Sequence, residues 1–460
     1  MNKKYQGSIF FNDFLLNLID NYKKDPTPQI VNFRKLVTQI TNMDRHTHFI
    51  HAYPAKLLQQ IPYLFLNNDI FSKEGDTILD TFCGTGTVPL EASIANRNAI
   101  GVDVNPLAAL IAKTKTSKQS IKSLEIKLEE IQQLFKEYQS SKKKFYIPNI
   151  ANINHWYNKE TIRKLSKIKY IIDNIEETEI KEFFQVVFSI CCRKYSYSDP
   201  RISVPVKINE EKFPEGHSLR EAAAKHLDFI KRNKIYEYFV EQAKKNILRL
   251  RNYQNSTMLN NSKVSIFNTD IKSIHEAKIQ ANTIQMILTS PPYVSAQKYI
   301  RASSLSLQWL ELHDKDLASL DKQSIGREYF SPSVYKQFHV IGFNSIDNIL
   351  LKIFKKNKLR AYITYMYLIE MKQTLQKSFK LLKTNGYFVM VIGNNTIAGY
   401  EFLTYKYLIE IAESIGFKTE LVLIDDIKSR GLMTKRNKTA SVISREYIVV
   451  FKKRFNNELF

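Results

Sequence analysis

Thr77-Ile78-Leu79-Asp80-Thr81-Phe82-Cys83-Gly84-Thr85-Gly86-Thr87 is a short apolar strand running directly into a glycine-bearing turn. Val88 to Asn96 then carries a helical pattern with the small residues Ala92 and Ala95 on one side. Gly84 and Gly86 allow the backbone to approach a ligand closely, and the helix N-terminus behind them favours a carboxylate or phosphate. About twenty residues further on, Ala99-Ile100-Gly101-Val102-Asp103-Val104-Asn105-Pro106 is a second short strand ending in an acid. That is the spacing at which a carboxylate grips ribose hydroxyls in a doubly wound sheet. Pro89 stands where the third glycine of a G-x-G-x-x-G fingerprint would be, so the dinucleotide pattern is incomplete. The expectation is an α/β fold holding a nucleoside-type cofactor.

A second apolar run, Met286-Ile287-Leu288, stops on Thr289-Ser290-Pro291-Pro292-Tyr293. Neither proline has an N–H, so nearby carbonyls in this rigid turn are left as acceptors, with a tyrosine ring at the rim. Acceptors for an exocyclic amino group beside a ring that stacks on a base suit methyl transfer to an amino nitrogen of a nucleobase. The turn offers no nucleophile for a covalent intermediate.

With both segments in hand, the chain resembles the S-adenosylmethionine-dependent amino-methyltransferases of DNA, which modify cytosine N4 or adenine N6. Asp80, Phe82, Gly84 and Gly86 match the cofactor loop of that family, Asp103 its ribose acid, and Asp270 in Phe267-Asn268-Thr269-Asp270 the acid near the cofactor adenine. Tyr53, Pro54 and Lys56, within His51-Ala52-Tyr53-Pro54-Ala55-Lys56, resemble the segment packed over the methionine end. Ser290, Pro291, Pro292 and Tyr293 match the catalytic loop, and a leading serine is the form typical of the cytosine-N4, restriction–modification style branch. Leu382 to Asn394, the turn Ser414-Ile415-Gly416-Phe417 and the strand Glu446–Phe451 resemble the rest of the sheet, including its reversed C-terminal hairpin strand.

The resemblance implies a doubly wound Rossmann-like methyltransferase sheet, S-adenosyl-L-methionine as cofactor and no metal. It implies methyl transfer to the N4 of a cytosine flipped out of duplex DNA. Adenine N6, an RNA amino group (guanine N2 or adenine N6), and a non-catalytic DNA-binding subunit on a disused fold stay open as alternatives. A cognate restriction endonuclease acting on the same site is a partner that this style of enzyme allows.

Composition agrees with a polyanionic partner: the formal net charge is +23 over 460 residues, and phosphate neutralisation then supplies much of the binding. With 44% hydrophobic and 12% aromatic residues the chain can bury a sizeable core. No apolar stretch is long enough to span a bilayer, and the basic start lacks a signal-peptide core, so the expected location is the cytoplasm, at the nucleoid. Three cysteines, two of them adjacent (Cys191 and Cys192), suit neither a disulfide framework nor a Cys-x-x-Cys metal site.

The expected organisation is a helical cap over residues 1–44, a catalytic domain over 45–112 and 263–455, and a mainly helical insertion over 113–262. Helices are expected at Lys113–Lys144, Lys159–Ile175, Ile180–Arg193 and Ser218–Leu250. The insertion is too long for a connecting loop, which predicts a core of its own and a role in target recognition. Its Arg193, Lys194 and Arg201 interleave with tyrosines and hydroxyls in a pattern that suits phosphates and base edges. Tyr299 and Arg301 follow the catalytic turn as candidate target-pocket residues, and Arg430, Lys435 and Arg436 as a candidate phosphate clamp. Residues 294–350 are a second candidate reader of the target sequence.

Overall fold

The apolar runs form one sheet in the computed structural model, which describes residues 3–53, 56–139, 143–258, 260–294, 298–313, 316–427 and 444–454. Its strands are β1 (Gln29–Ile30), β2 (Thr77–Asp80), β3 (Asn98–Asp103), β4 (Val264–Asn268), β5 (Ile284–Thr289) and β6 (Leu382–Gly393). A small separate hairpin, β7 (Asn395–Ile397) and β8 (Tyr400–Phe402), precedes the last two, β9 (Phe417–Asp426) and β10 (Arg445–Lys453). The order across the eight-stranded sheet is β1-β9-β10-β6-β5-β2-β3-β4. Strands β6, β5, β2, β3 and β4 are parallel to their neighbours in this run, whereas β10 lies antiparallel between β6 and β9. The fold is therefore the doubly wound methyltransferase-like sheet with a reversed hairpin strand.

Side chains alternate across the pleat, and both faces are covered, so the strands read as continuous apolar runs. Ile78, Met286, Leu288, Val389 and Val450 pack on one side with Phe11, Phe33, Phe65 and Val88. Leu79, Ile287, Phe388, Met390 and Phe451 pack on the other with Leu350, Leu375 and Leu408. From β2 the chain winds outward through β3 to β4, then returns to β5 on the other flank of β2. The carboxyl ends of β2 and β5 thus flank the point where the winding reverses, which is where open α/β sheets place their ligands.

The region between β3 and β4 is mostly helical, with the longer helices at Ile121–Gln139, Lys159–Asp173, Thr178–Lys194, Ser218–Arg232 and Ile235–Thr257. One difference from the expected pattern is local. The periodicity running through Ser218–Leu250 is broken at Asn233, whose φ of +52° ends the first helix in a left-handed cap. A second concerns packing, because these helices do not enclose a core by themselves. Leu165, Phe184, Phe188 and Phe239 share one apolar cluster with Leu90, Leu107 and Ile111 beside the sheet, and with Leu305 and Trp309 of the helix Tyr299–Leu310. A third is at the N-terminal end. The helix Lys3–Lys24 is followed by β1, which adds an edge strand beside β9. Among the described residues no helix is long and apolar enough to cross a membrane.

Candidate active site

Four parallel strands deliver their carboxyl ends to one edge of the sheet, and the segments that follow them line a single cleft. Thr81, Phe82, Gly84 and Thr85 come from the turn after β2, Asp103 and Asn105 from β3, Thr269 and Asp270 from β4, and Ser290 and Pro292 from β5. Tyr53 and Lys56 close one side, and Tyr299 with Gln323, Ser324 and Ile325 another. The cleft holds about 950 Å³ of open space, its mouth included.

The turn after β2 is fixed from below. Gly86 has φ +75°, and a Cβ there would lie 2.9 Å from that of Ala112, so only glycine lets the two helices approach as they do. Gly84 also has a positive φ, +49°, but a Cβ there would meet nothing within 4 Å. Its outer side is open space, a cradle for a ligand pressed on the backbone. Nearby, the hydroxyl oxygen of Thr81 is buried without a hydrogen-bond partner among the described residues.

Asp103 stands at the end of β3 with each carboxyl oxygen already accepting one backbone N–H, Gly84 N to Oδ2 and Asn105 N to Oδ1, both at 2.8 Å. Each oxygen keeps a further lone pair for a hydroxyl donor. Burial pushes this carboxyl up to about 6. Asn105 caps the helix Pro106–Lys115 through its side chain and also donates to the Tyr53 hydroxyl at 2.9 Å. Asp270 caps the short turn at Ile271–Ser273 and pairs with Lys272 at 2.8 Å. Lys56 donates to the carbonyls of His48 at 2.9 Å and His51 at 2.6 Å, and burial lowers its ammonium to about 8.

Asp80 has a different setting from Asp103. Its Oδ1 accepts the Thr289 hydroxyl at 2.6 Å and the Phe82 N–H at 3.1 Å, and burial pushes its carboxyl up to about 7. It therefore ties the cofactor-side turn to the end of β5. Pro291 is buried, and Tyr293 is packed into the sheet's apolar layer, its hydroxyl donating to Glu446 Oε1 at 2.7 Å.

The cations expected at a nucleic-acid surface divide. Arg193 donates to the carbonyls of Asp199 and Ile202, and Arg201 forms a two-pronged pair with Asp199 and donates to Leu219 O. Both guanidiniums brace the loop after the helix Thr178–Lys194 and do not face the cleft. Lys194 lies over the Phe229 ring at 4.8 Å. Arg301 is exposed, one position after Ile300 of the cleft wall. Pro54, Arg430, Lys435 and Arg436 lie outside the described residues. Sequence reasoning did not single out Asn105, Gln323, Ser324, Ile325 or Glu446. The Asn-Pro cap at Asn105-Pro106 was a readable signal for the first; the other four have no local pattern.

A glycine turn at a helix N-terminus, a carboxylate at the end of β3 and a Ser-Pro-Pro turn thus share one cleft. Residues 21–114 match the DNA methylase family N6_N4_Mtase. Type II methyltransferase M.MvaI of Kocuria varians is 26% identical to this chain, over 84% of this chain and 85% of its own length. Type II methyltransferase M.BsoBI of Geobacillus stearothermophilus is 22% identical over 91% and 88%. Type II methyltransferase M.MjaII of Methanocaldococcus jannaschii is 30% identical over 34% and 30%. Along most of its length the chain is thus similar to Type II DNA methyltransferases, and S-adenosylmethionine is the cofactor that the likeness implies.

Proposed function

We propose that the protein methylates the exocyclic N4 of a cytosine flipped out of duplex DNA, with Ser290, Pro291, Pro292 and Tyr293 as its catalytic turn. The observation that carries this reading is the placement of Ser290 and Pro292 on the same cleft as Gly84 and Asp103. Cofactor and base are thereby brought to adjacent strand ends, β2 and β5. The residues present fit the cofactor: Asp103 would take the ribose hydroxyls, Gly84 the close backbone approach, Asp270 the adenine side, and Tyr53 and Lys56 the methionine end. When bound, S-adenosylmethionine supplies an electrophilic methyl group.

The protein's part is to make a poor nucleophile reactive. The lone pair of a cytosine amino group is delocalised into the ring. Hydrogen bonds from its N–H groups to the Ser290 hydroxyl and the carbonyls of Ser290 and Pro291 draw electron density back onto nitrogen. The same acceptors meet the positive charge that builds there, which is catalysis by dipoles fixed in advance. Neither proline can donate to those oxygens in competition with the base. A base inside the stack cannot reach the cleft, so the nucleotide must rotate out. In this reading the Tyr293 ring, which directly follows the two prolines, stacks on the rotated base.

In this reading residues 45–112 and 263–455 are the catalytic domain, 1–44 a cap, and 113–262 the candidate recognition region. The shared core of those helices with the helix Tyr299–Leu310, which starts in the cleft wall, supports that placement. The work is expected in the cytoplasm on the nucleoid, with an endonuclease of the same sequence specificity as partner.

The deciding experiment incubates purified protein and labelled S-adenosylmethionine with duplex DNA or tRNA, then analyses nucleosides. N4-methylcytosine from the duplex is expected. N6-methyladenine alone would overturn the choice of base, and label confined to tRNA would overturn the choice of nucleic acid.

A further inference from the structure

We propose that Glu446 is a positioning residue of the catalytic turn: from the start of β10 its carboxylate receives the Tyr293 hydroxyl and fixes the orientation of the ring. The inference rests on reading Ser290–Tyr293 as that turn. After β5 the chain leaves the sheet, so residues 290–293 have no ladder partners and depend on anchors from elsewhere. The described residues supply three. Thr289 is tied to Asp80, the Asn395 side chain donates to Val294 O, and Tyr293 donates to Glu446 Oε1 at 2.7 Å. The first two hold backbone or the strand end, and the third holds the ring from outside the turn, the Ser290 side chain being its neighbour within it.

The sheet register explains how a residue two strands away reaches the turn. Glu446 lies opposite Gly393 of β6, which has no side chain to stand between the carboxylate and the tyrosine. The nearby charges on β9 and the N-terminal segment are Asp425 and Arg34, and they pair with each other at 3.3 Å, leaving Glu446 to the tyrosine. Tyr293 and Glu446 are both largely withdrawn from water, where a hydrogen bond to a carboxylate is strong and directional. A ring free to rotate would meet a flipped base in many orientations, whereas a ring held by its far end meets it in one.

The test compares Glu446→Leu, Glu446→Gln, Tyr293→Phe, the double variant Tyr293→Phe/Glu446→Leu and Ser290→Ala. Readouts are steady-state kcat, KM for duplex DNA and calorimetric binding of S-adenosylmethionine. Glu446→Leu and Tyr293→Phe should each lower kcat by roughly 10- to 100-fold, the cost of small misplacements near reacting atoms. The double variant should be no worse than either, Glu446→Gln should recover most of the rate through its amide oxygen, and cofactor affinity should stay unchanged throughout. Wild-type kcat in Glu446→Leu, or losses that multiply in the double variant, would overturn the inference. Should Glu446→Leu not fold, an unchanged kcat in Tyr293→Phe does the same. A fully active Ser290→Ala overturns the underlying reading instead.

Discussion

Thr289 donates its hydroxyl to Asp80 at 2.6 Å, joining the residue that ends β5 to the residue that ends β2. With the Phe82 N–H, which donates to the Thr289 hydroxyl at 3.2 Å, that bond connects the turn after β2 to the root of the Ser-Pro-Pro turn. Thr289→Val keeps the shape of the side chain and leaves Asp80 Oδ1 with the Phe82 N–H alone. The expected cost is about 1–3 kcal/mol, the range for a buried polar group that loses its partner. Urea unfolding measures it, and an unchanged midpoint would show that the bond contributes nothing.

Asp80 also predicts how stability depends on pH. Burial raises its carboxyl from 3.8 to about 7, so between those values the folded chain holds a proton that the unfolded chain has released. The contribution is complete below about pH 4 and is lost as pH rises through about 7. Asp80→Asn removes that dependence. The stability difference between wild type and variant, followed by denaturant titration from pH 4 to 8, should therefore shift against the wild type as pH rises. A constant difference would refute the assignment.

Asp103, as the proposed ribose acid, predicts a pH profile for cofactor binding. A carboxylate accepts a ribose hydroxyl more strongly than the neutral acid does, and burial pushes this carboxyl up to about 6. Affinity for S-adenosylmethionine should weaken as pH falls from 7 to 5, with the bend near 6. Calorimetry at closely spaced pH values checks this, and a flat profile over that window would exclude Asp103 as the ribose acid.

The two glycines of the turn should fail differently. Gly86→Ala sets a Cβ against Ala112 at 2.9 Å in a backbone of φ +75°, and should destabilise the fold by at least about 1–2 kcal/mol. Gly84→Ala meets open space and should lose less stability, yet in the proposed reading its methyl group stands where the cofactor lies. Thermal melts paired with cofactor titrations separate the cases: lower Tm for Gly86→Ala, lost binding at near-normal Tm for Gly84→Ala.

The basic residues divide in the same manner. Arg193→Ala should lower Tm and leave the salt dependence of DNA binding unchanged, because its guanidinium serves the carbonyls of Asp199 and Ile202. Arg301→Ala should leave Tm alone and make the slope of log K against log salt shallower by about 1. Fluorescence anisotropy between 50 and 200 mM salt distinguishes them.

These contrasts mark what was legible in the sequence. The fold around β2 and β3 was readable because its physics is local. A strand, two glycines and an acid about twenty residues later constrain one another through backbone geometry alone. Arg193 was misread because spacing shows that a cation is present and not which carbonyls curl back to meet it. Gln323, Ser324 and Ile325 were unreadable for another reason, since nothing in their own segment marks them and they reach the cleft only through the packing of what surrounds them. Glu446 is the extreme case. It meets Tyr293 across 153 residues of chain, and its neighbours spell only a strand.

The antiparallel strand β10 has one more consequence, and it concerns synthesis. A ribosome has to pass residue 445 before the gap between β6 and β9 can be filled and Tyr293 can find Glu446. Until then the glycine turn after β2 has all its residues, while two long strand edges stand open and the Tyr293 hydroxyl lacks its carboxylate. A nascent or prematurely ended chain therefore lacks that bond, and its open strand edges are of the kind that pair wrongly unless they are covered.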